Sequence, residues 1–148
     1  MKAILQRVSS SKVSIDNKVI GQIGQGLNIL LGVGQEDDES ILPKFVEKIV
    51  NMRIFADEAG KMNKSILDIK GEILLISQFT LYADVSGGRR PSFTKAGSPE
   101  KAKAIYEQVI ELIRGYGVKV ETGEFGGYMA VDIHNDGPTT IILDSKEI

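Results

Sequence analysis

Apolar and polar residues alternate through Lys2–Val8, and again through Lys12–Ile15 and Val19–Ile23. That is the period of a half-buried strand. The three stretches predict short antiparallel strands, with Asp16-Asn17 supplying the first turn. Leu27–Val33 is nearly continuous in apolar residues, which predicts a strand buried on both faces. Two stretches have helical period instead. Ile41, Leu42, Phe45, Val46, Ile49 and Val50 recur at spacings of three and four, predicting a helix over Ser40–Met52. Ser40 is its candidate N-cap, and Pro43 is tolerable because it falls in the first turn. The stripe Ala102, Ile105, Tyr106, Val109, Ile110 and Ile113 predicts a second helix over Pro99–Arg114. Ser98 caps it, Pro99 takes the first helical position, and Gly115 or Gly117 can close it.

Glu72–Ser77 reads as another buried strand, and Val118–Glu121, Tyr128–His134 and Thr139–Leu143 complete the β set. Asp84–Gly97 holds Gly87-Gly88, Pro91 and Gly97 and reads as a long loop, a kind of segment that tends to carry function. No internal repeat, low-complexity tract or linker interrupts residues 1–148. The pattern therefore implies a single α+β domain, a mostly antiparallel β-sheet or barrel with two main helices.

Composition narrows the chemistry. With 148 residues, 42% hydrophobic and 26% charged, the chain can bury a sizeable core and has the balance of an ordinary globular protein. It has no apolar run near membrane-spanning length, and its first residues lack the apolar stretch of a signal peptide. The absence of cysteine removes disulfides, thiolate catalysis and Cys-ligated metals, and fits a reducing cytoplasm. A net charge of −2 argues against indiscriminate nucleic-acid binding, although Arg89, Arg90, Lys95, Lys101 and Lys103 form a local basic cluster.

Two segments stand out as candidate chemistry. Ser77-Gln78-Phe79-Thr80-Leu81 and Asn135-Asp136-Gly137-Pro138-Thr139-Thr140 each place small hydroxyls and exposable amides at the edge of an apolar strand. Neither has a Cys or an adjacent His to activate it. Taken alone, each could be an ordinary turn. His134 continues an alternating strand after Val131 and Ile133 and reads as structural. Gly32-Val33-Gly34 lacks the Lys-Ser/Thr of a phosphate loop and reads as a tight turn. Asp37-Asp38-Glu39 suits a helix start better than a metal site, because no His or further carboxylate accompanies it. Arg89-Arg90, in a Gly-rich loop, suits phosphate contacts.

Read together, these segments carry a resemblance. Gln6-Arg7-Val8, Ser77–Asp84, Arg90-Pro91-Ser92-Phe93, Thr122-Gly123-Glu124-Phe125-Gly126 and Asn135-Asp136-Gly137-Pro138 occur in this order. The chain resembles the D-aminoacyl-tRNA deacylases over essentially its whole length. That resemblance implies a cytoplasmic homodimer, needing neither metal nor cofactor, that hydrolyses the ester between a D-amino acid and the terminal adenosine of tRNA. It also implies removal of glycine mischarged on tRNA. Carried over, Gly137 and Pro138 would be joined by a cis bond and act as chirality selector in the other subunit's site. Ser77, Gln78, Phe79 and Thr80 would line the adenosine and amino-acid pocket as the catalytic segment. Phe125 and Met129 would wall it, Ala102 would touch substrate through its backbone, and Arg7 would hold the Gly-Pro loop. Thr139-Thr140 stands where Val-Thr is more usual, placing an extra hydroxyl beside the selector.

The residue types suit such a task. Rejecting an L-amino acid is steric, and rigid backbone makes a better wall than a side chain that can change rotamer. Proline fixes φ, and glycine permits angles a Cβ would forbid. Two catalytic routes stay open. Thr80 could attack as a nucleophile, but a hydroxyl needs a base and no neighbouring residue offers one. Alternatively, the ribose 2′-hydroxyl helps activate water while the Phe79 and Thr80 amides stabilise the oxyanion. Two other classes fit the same residues: a non-catalytic module that binds RNA ends, and a Ser/Thr hydrolase of small esters.

Overall fold

The computed structural model describes residues 1–148. Ten regular elements follow one another: β1 (Lys2–Ile15), β2 (Lys18–Ile23), β3 (Gly26–Gly32), α1 (Leu42–Asn51), β4 (Phe55–Ala56), β5 (Met62–Lys64), β6 (Glu72–Ser77), α2 (Pro99–Gly115), β7 (Lys119–Thr122) and β8 (Ala130–Asp144). Six strands form one sheet in the order β2-β1-β3-β6-β7, with β8 also paired to β1. The β1 pairings with β2, β3 and β8 are antiparallel, whereas β3–β6 and β6–β7 are parallel. The architecture is thus the expected α+β type, with a mostly antiparallel, strongly curled sheet and two main helices.

The curl follows from long strands that change partners. The first half of β1 pairs with β3 and its second half with β2, while β8 accompanies both halves. Close approach completes the wrap: a Cβ on Gly21 of β2 would lie 2.7 Å from the Thr122 carbonyl of β7. One sheet face carries Ala3, Leu5, Leu27, Ile29, Leu31, Ile73, Leu75 and Val120. It packs on the α1 stripe Leu42, Phe45, Val46, Ile49, Val50 and the α2 stripe Ile105, Val109, Ile113. Each large apolar side chain so buried contributes roughly 1.5–3 kcal/mol. The opposite face holds a smaller core of Val8, Val13, Ile23, Leu74 and Ile76, with Met129, Val131 and Ile133 against it. No helix is long and apolar enough to cross a membrane.

Several expected boundaries move. The predicted strands Lys2–Val8 and Lys12–Ile15 are one strand, and Tyr128–His134 and Thr139–Leu143 merge into another that begins only at Ala130, leaving Tyr128 and Met129 outside it. Pairing with a neighbour carries backbone through segments whose alternation lapses. Against β8, Gln6 pairs with Thr140 and Val8 with Asn135, so the four residues 136–139 stand opposite Arg7 alone. Asp136–Thr139 therefore bulges from the sheet inside a continuous strand. Ser40 is not the cap of the first helix. Asp38 instead caps a short 3₁₀ turn, Glu39–Ile41, by accepting the Ser40 N–H at 2.8 Å, and α1 then follows from Ile41 with no side-chain cap of its own. The second helix follows expectation: Ser98 accepts the Lys101 N–H at 3.3 Å, Pro99 begins α2, and Gly117 follows it with φ +80. Asp16 and Asn17 have φ +47 and +63, as a tight hairpin turn requires. The small β4–β5 hairpin and the 3₁₀ turn Phe79–Tyr82 have too short a pattern for periodicity to find.

Candidate active site

At its C-terminal end β6 runs into a cavity of about 750 Å³. The strand stops because Gln78 leaves extended geometry (φ −143, ψ 83), and the chain then enters the Phe79–Tyr82 turn. Ile76, Ser77, Gln78, Phe79 and Thr80 form one wall, and Val33, at the end of β3, joins them. The loop after the turn contributes Phe93, Ala96 and Gly97, and α2 contributes Pro99 and Ala102 from its first turn. Residues 125–129 and Val131 close the far side.

Of the positions singled out from sequence, Ser77, Gln78, Phe79, Thr80, Ala102, Phe125 and Met129 all converge on this cavity. The Ala102 N–H is already given to the Ser98 carbonyl at 2.8 Å, so it is engaged within the helix. Phe79 stands edge-on to Phe93 with ring centroids 5.0 Å apart. Phe125 packs at 5.9 Å on Tyr106, whose hydroxyl donates to the Leu75 carbonyl at 2.7 Å. Burial pushes the Tyr106 phenol up to about 12, so it stays a neutral prop beneath the wall.

The polar equipment of the cavity is sparse. No carboxylate, imidazole, ammonium, guanidinium or thiol lines it. The Thr80 hydroxyl accepts a hydrogen bond from the Gln78 amide and has no base beside it. His134 lies exposed on β8 opposite Ser10 and is not among the lining residues. The N–H groups of Phe79 and Thr80 bond to no acceptor in the chain, the usual fate of amides in a first 3₁₀ turn. Two donors are therefore free on residues that line the cavity. No cluster of three or more His, Asp or Glu able to hold a metal ion occurs.

Gly137 and Pro138 lie elsewhere. Their peptide bond is cis, both residues are exposed on the β8 bulge, and neither lines the cavity of its own chain. The bulge is tied down from several sides. Arg7 Nη1 donates to the Ile54 carbonyl at 2.6 Å. Arg7 Nε stands 3.0 Å from Asp136 Oδ2, an ion pair not aligned as a hydrogen bond. Asn135 Nδ2 donates to the Arg7 and Thr139 carbonyls at 3.0 and 2.9 Å. Gly137 has φ +124, and a Cβ there would lie 2.7 Å from Thr139 Oγ1 and 2.9 Å from Arg7 Nη2. The Thr139 hydroxyl thus occupies the space that a side chain at this glycine would need. β8 pairs only with β1, which leaves its other edge open.

The basic cluster divides. Lys95 pairs with Asp84 at 2.9 Å, Lys101 donates to the Gln35 carbonyl at 2.7 Å, and Lys103 faces Glu107 at 3.9 Å. Arg89 and Arg90 are exposed, form no ion pair, and sit on the loop that supplies Phe93 to the cavity. Sequence reasoning gave no cavity role to Val33, Phe93, Tyr128 or the Gly126-Gly127 pair. Tyr128 is 98% exposed at the rim, and only the fold reveals that placement.

Residues 4–144 match the sequence profile of the family described as D-Tyr-tRNA(Tyr) deacylase. A D-aminoacyl-tRNA deacylase of Fervidobacterium nodosum is 56% identical over 148 residues, covering 100% of this chain and 99% of that one. One of Aquifex aeolicus is also 56% identical, with 100% of both chains covered. Among solved structures, the c-Myc DNA Unwinding Element Binding Protein superposes with TM-score 0.91 at 42% identity, covering 97% of this chain and 98% of that one. A probable eukaryotic D-amino acid tRNA deacylase has the same fold, with TM-score 0.83 at 17% identity over 96% and 97% of the two chains.

Proposed function

Because the chain belongs to the D-Tyr-tRNA(Tyr) deacylase family, we propose that its cavity seats the 3′-terminal aminoacyl-adenosine of tRNA and hydrolyses the ester by positioning and backbone electrostatics. Ser77, Gln78, Phe79 and Thr80 hold the adenosine and the ester, Phe125 and Met129 wall the pocket, and Ala102 borders the substrate at the start of α2. The observation that carries this reading is a cavity with two unengaged amides, at Phe79 and Thr80, and no side-chain base. An aminoacyl ester is already reactive, so a strong nucleophile is unnecessary. The ribose 2′-hydroxyl of the substrate assists a water molecule in attacking the carbonyl. The Phe79 and Thr80 amides meet the oxyanion, an interaction worth about 2.7–4 kcal/mol per donor in comparable holes.

Stereoselection is assigned to the Gly137–Pro138 bulge of a second copy. The bulge is exposed, lies off its own cavity, and borders an open strand edge on which a second chain could add. Seated in the partner's cavity, it fills the space an L side chain would need. D residues of many sizes and glycine then pass. Arg89 and Arg90 serve the RNA backbone, the dimer works in the cytoplasm, and Arg7 and Thr139 brace the selector.

The test is direct. Incubated in EDTA with D-Tyr-tRNA, L-Tyr-tRNA and Gly-tRNA, the protein releases D-Tyr and Gly and spares L-Tyr. No release from any of them leaves only a binding module, and equal loss of both enantiomers indicates a general esterase.

A further inference from the structure

Gly32-Val33-Gly34 and Asp37-Asp38-Glu39 are conspicuous in the sequence, yet only Val33 among them lines the cavity. They meet directly behind the catalytic segment. The Phe79–Tyr82 turn has little to hold it from within: Leu81 N–H reaches the Gln78 carbonyl at 3.3 Å and Ala83 N–H the Thr80 carbonyl at 3.0 Å. A 3₁₀ turn this short is not self-supporting. Its start is fixed by Gln78 N–H donating to the Leu31 carbonyl at 2.8 Å. Its end is fixed through Tyr82.

Three contacts hold that side chain. The Tyr82 hydroxyl donates to Asp37 Oδ2 at 2.9 Å. Its ring lies so close to Gly34 that a Cβ there would stand 2.6–2.8 Å from three ring and hydroxyl atoms. Lys2 Nζ sits 5.3 Å from the ring centroid on a face of the ring. Asp37 is itself held fast. It is 8% exposed, accepts the Gly34 N–H on Oδ2 at 2.6 Å, and pairs through Oδ1 with the Met1 ammonium, which also contacts the Ser145 hydroxyl. A buried carboxylate matched by a buried cation is costly to move.

We propose that Asp37, acting through the Tyr82 hydroxyl, is a positioning residue that sets where the Phe79 and Thr80 amides stand; the proposal rests on the deacylase reading of the cavity. Thr80 is two residues from Tyr82 on the same turn, a separation of roughly 4 Å along its axis. A shift at the Tyr82 end therefore reaches the amides almost undamped. The glycine pair and the buried acid are one device: glycine lets the ring come close, and the carboxylate fixes where its hydroxyl points.

Tyr82→Phe deletes the hydroxyl and keeps the ring. In single-turnover and steady-state assays on D-Tyr-tRNA, it lowers kcat by about 10- to 100-fold, the scale of a displacement near 1 Å, with KM little changed. Asp37→Asn also lowers kcat, by weakening the hold on the Tyr82 hydroxyl and the pairing with the Met1 ammonium, and the double variant falls short of the product of the two single effects, since both act through that hydroxyl. If Asp37→Asn fails to fold, Tyr82→Phe decides alone. Glu72→Gln is the control for general destabilisation. It loses contacts to Gly24 and Lys119 at the opposite end of β6, so it lowers Tm and keeps kcat. A Tyr82→Phe variant with unchanged kcat, or with a raised KM alone, overturns the positioning role while the deacylase reading stands. Wild-type protein that leaves D-Tyr-tRNA intact overturns both.

Discussion

Gly137→Ala is the sharpest single perturbation of the proposed selector. At φ +124 an L residue is strained by about 1–3 kcal/mol whatever the space around it. Space is also lacking: the new Cβ would stand 2.7 Å from Thr139 Oγ1, 2.9 Å from Arg7 Nη2 and 3.0 Å from Thr139 N. Two of these neighbours belong to the next turn of the same bulge, so the backbone yields along with the side chains. At roughly 2–4 °C per kcal/mol for a chain of this size, Tm falls by about 2–12 °C. The larger effect is on selectivity, because a wall works only where it stands. If the bulge retreats enough to relieve even 1.4 kcal/mol of clash with an L side chain, discrimination falls about tenfold. The assay compares deacylation of D-Tyr-tRNA and L-Tyr-tRNA by wild type and variant, well below either Tm. The expected result is a drop in the D/L ratio of tenfold or more, driven by a gain on L-Tyr-tRNA. Adding Thr139→Ala removes the 2.7 Å contact and recovers part of the ratio. A variant that loses Tm but keeps the full D/L ratio refutes the assignment of stereoselection to this bulge.

Other outcomes follow from the same geometry. Thr80→Ala lowers kcat less than about tenfold, under about 1.4 kcal/mol, since the side chain lacks a base and the backbone amide stays; abolished turnover in a folded, tRNA-binding variant makes Thr80 the nucleophile. Replacing both Arg89 and Arg90 by Ala raises KM for D-Tyr-tRNA and shrinks the slope of log affinity against log salt by roughly 1.5, whereas an unchanged slope in a binding titration removes them from the RNA interface. Burial pushes the Asp37 carboxyl up, but hydrogen bonds from the Met1 ammonium, the Gly34 N–H and the Tyr82 hydroxyl outweigh it and hold it below its ordinary value. Its contribution to stability is therefore whole above the unfolded value and lost as pH falls below about 4; Asp37→Asn flattens Tm against pH in that range, and an equally steep acid limb in the variant disproves the link.

Much of the fold is legible in the sequence. Helix α2 was readable nearly to the residue because stripe, N-cap, N-terminal proline and closing glycine agree locally. The β6 strand is equally plain, its bounds Glu72–Ser77 read directly from the apolar run. What escaped was set by partners distant in sequence. β1 and β8 read as broken because alternation lapses at Ser9–Ser11 and Asn135–Pro138, yet each is kept continuous, bulge included, by pairing with the other. Ser40 falls inside a 3₁₀ turn that Asp38 caps, and Asp37 beside it is held by the Met1 ammonium, a contact spanning 36 residues that no local rule contains. Phe93 and Tyr128 gave no periodic signal, and their place at the cavity follows from the loops that carry them.

The division of labour in this fold explains the poverty of its chemical groups. On the proposed mechanism, an aminoacyl ester offers its own leaving group and, on the ribose, its own neighbouring hydroxyl, so the protein need contribute only placement. Placement by side chains would suffer from rotamer freedom. Placement by backbone does not, but backbone must be braced from outside the site. Both critical segments show such bracing: the Phe79–Tyr82 turn by Asp37 and the glycines of β3's end, the Gly137–Pro138 bulge by Arg7, Asn135 and Thr139. In each case a buried or half-buried charge sits behind the working backbone instead of facing the cavity. On the proposed reading, charge near the cavity serves to hold main chain still, and the cations offered to the RNA, Arg89 and Arg90, stand outside the cavity.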